Sequence, residues 1–418
     1  MTISPWHNAE DRVGDADSVS SGDDEGEVFL NESDVLQEVD VNENDIEGST
    51  DDAGSDLEME DMNIEDGPDD SFKHFGSHLD EVYTVACHPI DPSLVATGGA
   101  DDIIYLWRID QEWSLKLEGH TDSILSLAFS GDGQLLASGS YDGTVRTWDA
   151  FTGSLKLVLE GPEKDKEIEW VKWHPRGHVV LAGSQDSTIW MWNGEKGTYL
   201  HCFIGHGQNV SCGDFTPDGK LICTASGDAT LRIWNPKNGE SIHVVRDHPY
   251  HTQGITCMAV SNDSSLVMTA STDGFIHIVN ISTGKVVNTL SSHTDSVECV
   301  AFSPSFPLSA SGSLDQKLVI WDLQHSSVRC ICDHKPVSFI SDNGGVTCLA
   351  WLGPTKYIAT GCQDGGVRIW DSLSGECVKT FAGHRSSVTA VALSASWSYI
   401  VSSSADGVVR AFDVSAFR

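Results

Sequence analysis

Gly119-His120-Thr121-Asp122-Ser123-Ile124 opens a stretch that continues through Leu127-Ala128-Phe129-Ser130 and Leu135-Leu136-Ala137-Ser138-Gly139-Ser140. It closes on Tyr141-Asp142-Gly143-Thr144-Val145-Arg146-Thr147-Trp148-Asp149. Three short apolar runs are separated by Gly/Asp turns, which reads as three strands. A fourth run follows the Trp, from Ser154 to Leu159. One sheet of this size cannot bury both of its faces alone, so its stability requires neighbours of the same kind.

The neighbours are present. The turn Asp recurs at 101, 142, 186, 228, 273, 315, 364 and 406, at spacings of 41, 44, 42, 45, 42, 49 and 42. Six residues after each stands an anchor: Trp107, Trp148, Trp192, Trp234, Val279, Trp321, Trp370 and Phe412. A Gly-His start, a Trp-Asp end and a period near 42 resemble the WD-repeat family over residues 72–418. The resemblance implies an all-β, eight-bladed WD-repeat β-propeller. Seven blades, with one degenerate unit outside the ring, is the alternative.

In that family a His, a Ser/Thr, an Asp and a Trp form a hydrogen-bonded relay within each blade. The resemblance carries these roles to His78, Thr97, Asp101 and Trp107, and to His120, Ser138, Asp142 and Trp148. It carries them equally to His206, Thr224, Asp228 and Trp234, and to His293, Ser311, Asp315 and Trp321. Unit three departs, with Pro162 near the His position and Ala182 for the hydroxyl. Unit five has Val279 for Trp, unit seven has His334 displaced by an insertion, and unit eight has Phe412. Units three, five and seven are therefore expected to be held less tightly. A His beside an Asp and a Ser also invites a catalytic reading. Recurrence in most units argues against it, because catalysis needs one site with an oxyanion hole and a substrate pocket. No catalytic residue is expected, and the chain is read as no enzyme.

The last unit ends at Phe412-Asp413-Val414, which leaves no room for a fourth strand. A spare run precedes the first unit at Phe72-Lys73-His74-Phe75 and matches Val378-Lys379-Thr380-Phe381 before Gly383-His384. Strand 72–75 is therefore expected to join the last blade and remove the exposed edges of an open array. Residues 71–418 form the propeller, and residues 1–70 a disordered acidic tail.

Charge separates the two parts. Net charge is −37; residues 1–70 carry 25 Asp/Glu and one basic residue, Arg12, leaving residues 71–418 at −13. So acidic and so poor in aromatics, the tail cannot offset its chain entropy by burial. Val28-Phe29-Leu30 and Val35-Leu36 offer short docking points, and Ser18, Ser20 and Ser21 precede acids that suit an acid-directed kinase. A surface of this sign repels phosphate backbones, so direct nucleic-acid binding is not expected. It favours a basic protein or peptide. The eleven cysteines show no zinc spacing; Cys330 and Cys332 are the only close pair. Cys212, Cys257, Cys299 and Cys348 recur at one position and read as reduced core thiols. No cofactor, metal or membrane span is expected. The expectation is a monomer in the cytoplasm, with entry into the nucleus open.

Aligning the units locates the surface where first strands begin. The third and fifth residues after the His, with the residue before each turn Asp, give 24 positions; units three and seven are placed by alignment, Ile168-Glu169-Trp170-Val171 standing against Val297-Glu298-Cys299-Val300. Four are acids, Glu81, Glu167, Glu169 and Glu298, and none is Lys or Arg. Asp80, Asp122 and Asp295 flank them, while Tyr83, Tyr141, Leu125 and Leu314 add apolar area. Acids beside aromatics suit Arg and Lys side chains of an extended peptide. These acids are expected to line one continuous upper rim.

The acidic tail, the eight units and the opening Phe75-Gly76-Ser77-His78-Leu79-Asp80-Glu81-Val82-Tyr83 resemble the angio-associated migratory cell protein group. Its fungal member is a dedicated chaperone for a large-subunit ribosomal protein. The resemblance therefore implies capture of a basic ribosomal-protein segment, in support of ribosome assembly, through Glu81, Glu167, Glu169 and Glu298. The group's link to heparin finds no basic cluster here. Competing readings are a scaffold in a ubiquitin-ligase or signalling complex and a binder of histone tails. The Trp-Asp-x-Arg ending of ligase receptors is missing: Asp110, Phe151, Gln324 and Leu373 stand there.

Overall fold

The computed structural model describes residues 68–160, 166–247, 250–335 and 344–418. The acidic tail to residue 67, with Ser18, Ser20 and Ser21, and Pro162 of unit three lie outside the described residues. Among the described residues no helix is long and apolar enough to cross a membrane.

Eight antiparallel four-stranded sheets are present, which makes the ring eight-bladed rather than seven-bladed. Blade 2 shows the pattern with strands Ile124–Phe129, Leu135–Ser140, Thr144–Asp149 and Leu155–Glu160. Every residue of its second strand is buried, whereas its fourth strand is largely exposed. Burial thus peaks at the second strand and falls toward the fourth, and the sequence follows it, from Leu-Leu-Ala-Ser-Gly-Ser in the second to alternating Leu-Lys-Leu-Val-Leu-Glu in the fourth. The first strand of each blade contacts the first strand of the next, and Val82–Cys87 of blade 1 contacts Val388–Leu393 of blade 8.

The core lies between blades rather than within them. The apolar residues form eight clusters, each shared by two adjacent blades. Leu94, Ala96, Ile104, Leu106 and Leu117 of blade 1, for example, pack on Ile124, Leu127, Leu136 and Trp148 of blade 2. A blade removed from the ring would expose both of its faces, so the ring is stable only when closed.

Closure uses both ends of the described chain. Lys73–Phe75 pairs antiparallel with Val409–Asp413, in register Lys73 to Ala411 and Phe75 to Val409. Phe72 N–H donates to the Ala411 carbonyl at 2.8 Å, and Asp70 N–H to the Ala382 carbonyl at 3.0 Å. Arg410 Nε donates to the Asp69 carboxylate at 3.2 Å. Phe75 stacks on Trp107 of blade 1, so the closing strand also seals the seam between blades 8 and 1.

Candidate functional site

The relay is most complete in blades 2 and 6. Trp148 Nε1 donates to Ser138 Oγ at 2.9 Å, Ser138 Oγ lies 2.7 Å from His120 Nε2, and His120 Nδ1 lies 2.8 Å from Asp142. The carboxylate only accepts, so Nδ1 carries the proton and Nε2 accepts the serine hydroxyl. Every group is satisfied with a neutral imidazole. Burial holds the His120 pKa below its ordinary value. Burial opposes ionisation of Asp142 too, but hydrogen bonds from His120 and Thr144 outweigh it and hold the carboxyl far below its usual range. Ser138 is fully buried with its oxygen engaged on both sides, which leaves no nucleophile to present. His293, Ser311, Asp315 and Trp321 repeat this at 2.7, 3.0 and 2.8 Å.

The other blades differ in instructive ways. In blade 1 His78 meets Thr97 at 2.9 Å and Asp101 at 3.0 Å, but Trp107 Nε1 has no partner. Its ring lies flat on Phe75, 4° from parallel, instead of presenting its N–H to Thr97. In blade 4 His206 and Trp234 both meet Thr224 at 2.8 Å. There His206 Nδ1 sits 3.0 Å from Thr230 Oγ1 and 3.4 Å from Asp228, whose nearer partner is the Gly207 N–H at 2.7 Å. In blade 3 Trp192 Nε1 is unpartnered beside Ala182, as loss of the hydroxyl dictates.

Blades 5 and 7 correct the expectation drawn from their missing residues. Tyr250, just before His251, is buried and its hydroxyl sits 2.9 Å from Thr269 Oγ1. It replaces the absent indole N–H and fills space beside Val279. His334 is not displaced: its Nε2 meets Thr360 at 2.9 Å and Trp370 donates to the same oxygen at 3.0 Å. The inserted residues follow His334. What changes is Asp364, which pairs with the buried Arg368 instead of a histidine.

The mouth of the ring is organised by a repeated backbone device. In seven blades the pairing of the first two strands shifts register at one equivalent residue: Tyr83, Leu125, Glu169, Thr256, Glu298, Thr347 and Thr389. Ser211 holds the equivalent place just before its strand. A bulge residue leaves the ladder and has its side chain re-aimed. Four of the eight point round the ring: Ser211 donates to the Ile255 carbonyl at 2.5 Å, Thr347 to Val388 at 2.6 Å and Thr389 to Val82 at 2.5 Å, and Thr256 donates to Val297. Each fastens its blade to the first inner residue of the next. These positions, read from sequence as outward, are therefore structural in blades 4, 5, 7 and 8.

The remaining four, Tyr83, Leu125, Glu169 and Glu298, carry no such hydroxyl. Blade 3 shows how the fastening is kept without it. Trp170 Nε1 donates to the Val210 carbonyl at 2.8 Å, the same acceptor position in blade 4 that the hydroxyls use elsewhere. Its indole fits because Gly183 and Gly213 flank it: a Cβ on either would stand 2.3 Å from the ring. Glu169 is thereby released toward the mouth. Sequence alignment placed Trp170 opposite the cysteines but gave no sign of this exchange.

Seven of the ten sequence-predicted binding residues gather on blades 1–3. Tyr141 is raised in pKa by burial, then by Glu169, Glu167, Tyr83 and Asp122 around it. Tyr83 is raised by burial and by Glu81 and Asp80. The half-buried Glu169 carboxyl is also raised, by burial and by Glu167, with the Gln185 amide partly offsetting them. Asp80 and Asp122 each bond the next backbone N–H, at 2.8 and 2.7 Å, which fixes their carboxylates at the strand starts. Asp295, Glu298 and Leu314 belong to blade 6, which stands opposite blade 2 in an eight-membered ring. The expected continuous rim is thus two arcs, because the intervening bulge positions are blade fasteners. Asp295 bonds Ser296 N–H at 2.7 Å, and the half-buried Leu314 donates its N–H to the Ser296 carbonyl at 3.0 Å.

Among the described residues no three His, Cys, Asp or Glu side chains converge as a metal site. All eleven cysteines are free, and burial pushes the Cys212 and Cys348 thiols up to about 12.

Eight segments, 70–108, 112–149, 153–193, 197–235, 239–280, 284–322, 324–371 and 375–413, match the WD domain, G-beta repeat family. The human angio-associated migratory cell protein is 33% identical over 365 residues, covering 84% of this chain and 81% of its own length. The ribosome assembly protein SQT1 of Saccharomyces cerevisiae is 29% identical over 181 residues, 41% of this chain and 42% of that one. Among solved structures, Chaetomium thermophilum Sqt1 bound to the N-terminus of the ribosomal protein L10 superposes with a TM-score of 0.75 at 25% identity, covering 83% of this chain and all of that one. With its eight units matched and a relative at this identity over most of both lengths, the chain belongs to the WD-repeat family and, within it, to the group of the angio-associated migratory cell protein.

Proposed function

We propose that this protein is a non-catalytic, dedicated chaperone that captures the basic N-terminal segment of a newly made large-subunit ribosomal protein across the mouth of its ring. It acts as a monomer in the cytoplasm and releases the segment during ribosome assembly. The reading is supported by the family, by the Sqt1 complex with a ribosomal-protein N-terminus and by one observation of geometry. That observation is the gathering of Glu81, Glu167, Glu169, Asp80 and Asp122 around Tyr83 and Tyr141, where the half-buried Glu169 meets the neutral amide of Gln185. An incoming guanidinium stacks on a phenol and bonds a carboxylate at once. Glu169 contributes most, on the order of 1.5–3 kcal/mol as a partly desolvated charged hydrogen bond. The exposed acids contribute roughly 0–1 kcal/mol each and add speed of capture.

Fluorescence anisotropy with a synthetic N-terminal segment of a large-subunit ribosomal protein tests this. Binding is expected to weaken with salt and to fall at least about thirtyfold when Glu81 and Glu298 are both changed to Lys, with the melting temperature unchanged. A histone-tail peptide competing equally well would remove the client assignment. If a protein lacking residues 1–66 loses all binding while the double Lys variant binds normally, the tail and not the mouth is the capture site.

A further inference from the structure

Arg410 shows how this ring holds a carboxylate that arrives from outside a blade. Its Nε donates to Asp69 at 3.2 Å. The next residue forms a reciprocal pair with the backbone just before Gly383-His384. Asp70 N–H donates to the Ala382 carbonyl and Ala382 N–H to the Asp70 carboxylate, both at 3.0 Å. Ser71 N–H donates to Asp69 Oδ1 at 2.9 Å and orients that side chain. Gly383 admits the arrangement, since a Cβ there would stand 2.8 Å from both Asp69 Oδ1 and Arg410 Nε. An extended Asp-Asp segment is thus seated on an arginine of the third strand, a glycine before the histidine and the edge backbone of the preceding blade.

The same Gly and Arg occur together in two other blades, as Gly119 with Arg146 in blade 2 and Gly205 with Arg232 in blade 4. Each guanidinium lies beneath its glycine: a Cβ on Gly119 would stand 2.3 Å from Arg146 Nη1, and one on Gly205 2.6 Å from Arg232 Nη1. In both blades the arginine Nε is enclosed and has no partner, although buried donors are ordinarily paired. Blade 2 already has an acid at the edge, because the exposed Glu118 stands where Ala382 stands. Blade 4 does not. There the equivalent residue is Ile204, 74% exposed at the end of the outer strand Tyr199–Ile204. Neither this strand nor Ser241–Val245, across the seam, contains an acid. The exposed Val244 pairs with Arg232 across the sheet, and Arg246 follows two residues later. Burial lowers the Arg232 pKa and Arg246 lowers it further, against the opposing pull of Asp228. The guanidinium rests on the Trp234 ring, 5.6 Å from its centroid, so its position is fixed while its charge is under-compensated. A carboxylate supplies what is missing, through charge-assisted hydrogen bonds.

We propose that the outer seam between blades 3 and 4 is a docking site for an extended acidic segment of a partner protein. It is seated as Asp69 and Asp70 are seated on blade 8, with one aspartate against Arg232 and the next paired with the Ile204 backbone. The partner is another protein rather than a second copy, because two chains of net charge −37 repel each other. The site lies on the rim and takes an anion, whereas the acids of the mouth favour a cation. The two ligands are therefore held apart, and the inference stands independently of the capture reading.

The probe is a fluorescent peptide Gly-Pro-Asp-Asp-Ser-Phe, the sequence of residues 67–72, titrated with the full chain by anisotropy. It is expected to bind at least about tenfold tighter than the same peptide with both aspartates replaced by asparagine. Arg232→Gln and Ile204→Asp should each weaken it by about tenfold or more, and Arg146→Gln should leave it unchanged. Ile204→Asp changes only an exposed side chain, so it keeps the test decisive if Arg232→Gln lowers the melting temperature. Equal binding of the asparagine peptide, or no binding of either, would overturn the site. Normal binding by Ile204→Asp with loss in Arg146→Gln would move the docking to blade 2 and overturn the assignment. Self-association of the wild-type chain in sedimentation, abolished by Ile204→Asp, would make a second copy the occupant and overturn the partner protein.

Discussion

Blades 1–3 and blades 4, 5, 7 and 8 use the same bulge for opposite purposes. In the second group a Ser or Thr hydroxyl reaches round the ring and fastens the next blade. In the first group Tyr83, Leu125 and Glu169 occupy that place and line the mouth. The same three blades hold both unpartnered relay indoles among the described residues, Trp107 and Trp192. Binding positions and incomplete fastening therefore coincide, as expected where a fold gives up local stability at its functional face. One side-chain choice on a fixed backbone decides whether a blade contributes to the ring or to the client.

The largest test of this contrast strikes the fastened arc where the chain closes. Deleting residues 1–66 should leave a ring that melts like the full chain. Deleting 1–78 removes the strand paired with Val409–Asp413 and should lower the melting temperature by well over ten degrees or leave the protein insoluble. Comparable melts of the two truncations by differential scanning calorimetry would break the account of closure.

A smaller effect separates the arcs directly. Thr389→Val keeps the shape of the bulge residue but removes its bond to the Val82 carbonyl, and should cost about 1–2 kcal/mol in urea unfolding with peptide binding unaltered. Leu125→Val, in the open arc, should stay within about 0.5–1.5 kcal/mol, as volume changes of one methylene usually do. Equal losses of binding in both variants would erase the distinction.

The contrast can also be sharpened by repair. Ala182→Ser in blade 3 restores the oxygen that Trp192 lacks, and is expected to raise stability by roughly 0.5–1 kcal/mol. A destabilised Ala182→Ser protein, measured by the same unfolding, would mean that blade 3 has no room for the relay.

The smallest effect is one of pH and lies between blades 2 and 3. His178 Nε2 sits 2.9 Å from Asp132 and its Nδ1 meets Glu195. Both partners are carboxylates, so both ring nitrogens must donate and the imidazolium is favoured. Burial lowers the His178 pKa, but Glu195 and Asp132 outweigh it and the net shift is upward. A raised folded pKa gives stability that is fully present below the ordinary histidine value and lost as pH rises through the folded value. His178→Gln should therefore cost more at pH 5.5 than at pH 8.5, by less than about 1 kcal/mol. A pH-independent difference would show that the clamp is not ionised.

The blade count could be read from sequence because the turn Asp and the anchor repeat at nearly constant spacing. The composition of the mouth was legible for the same reason. What alignment could not show was direction. Thr256 and Glu298 occupy equivalent positions, and only the bulge and the carbonyl beyond it reveal that one is tied to its neighbour and the other is not. Substitutes for relay residues were hidden because they come from elsewhere in the unit: Tyr250 from the residue before the His, Arg368 from the third strand. A Ser or Thr recurring at one aligned position in four units, Ser211, Thr256, Thr347 and Thr389, was the available signal for the fasteners.

The closing strand sets an order of events during synthesis. Asp69 and Arg410, which pair in the finished ring, are separated by 341 residues. At about 5–20 residues per second, the strand Lys73–Phe75 leaves the ribosome on the order of tens of seconds before its partner Val409–Asp413 is made. For that interval the nascent ring has seven complete seams at most and one open edge. The waiting strand is only three residues long and carries Lys73 and His74, a poor template for wrong pairing. A protein proposed to shelter another chain at birth must therefore itself pass through a birth in which its last seam is the first one begun.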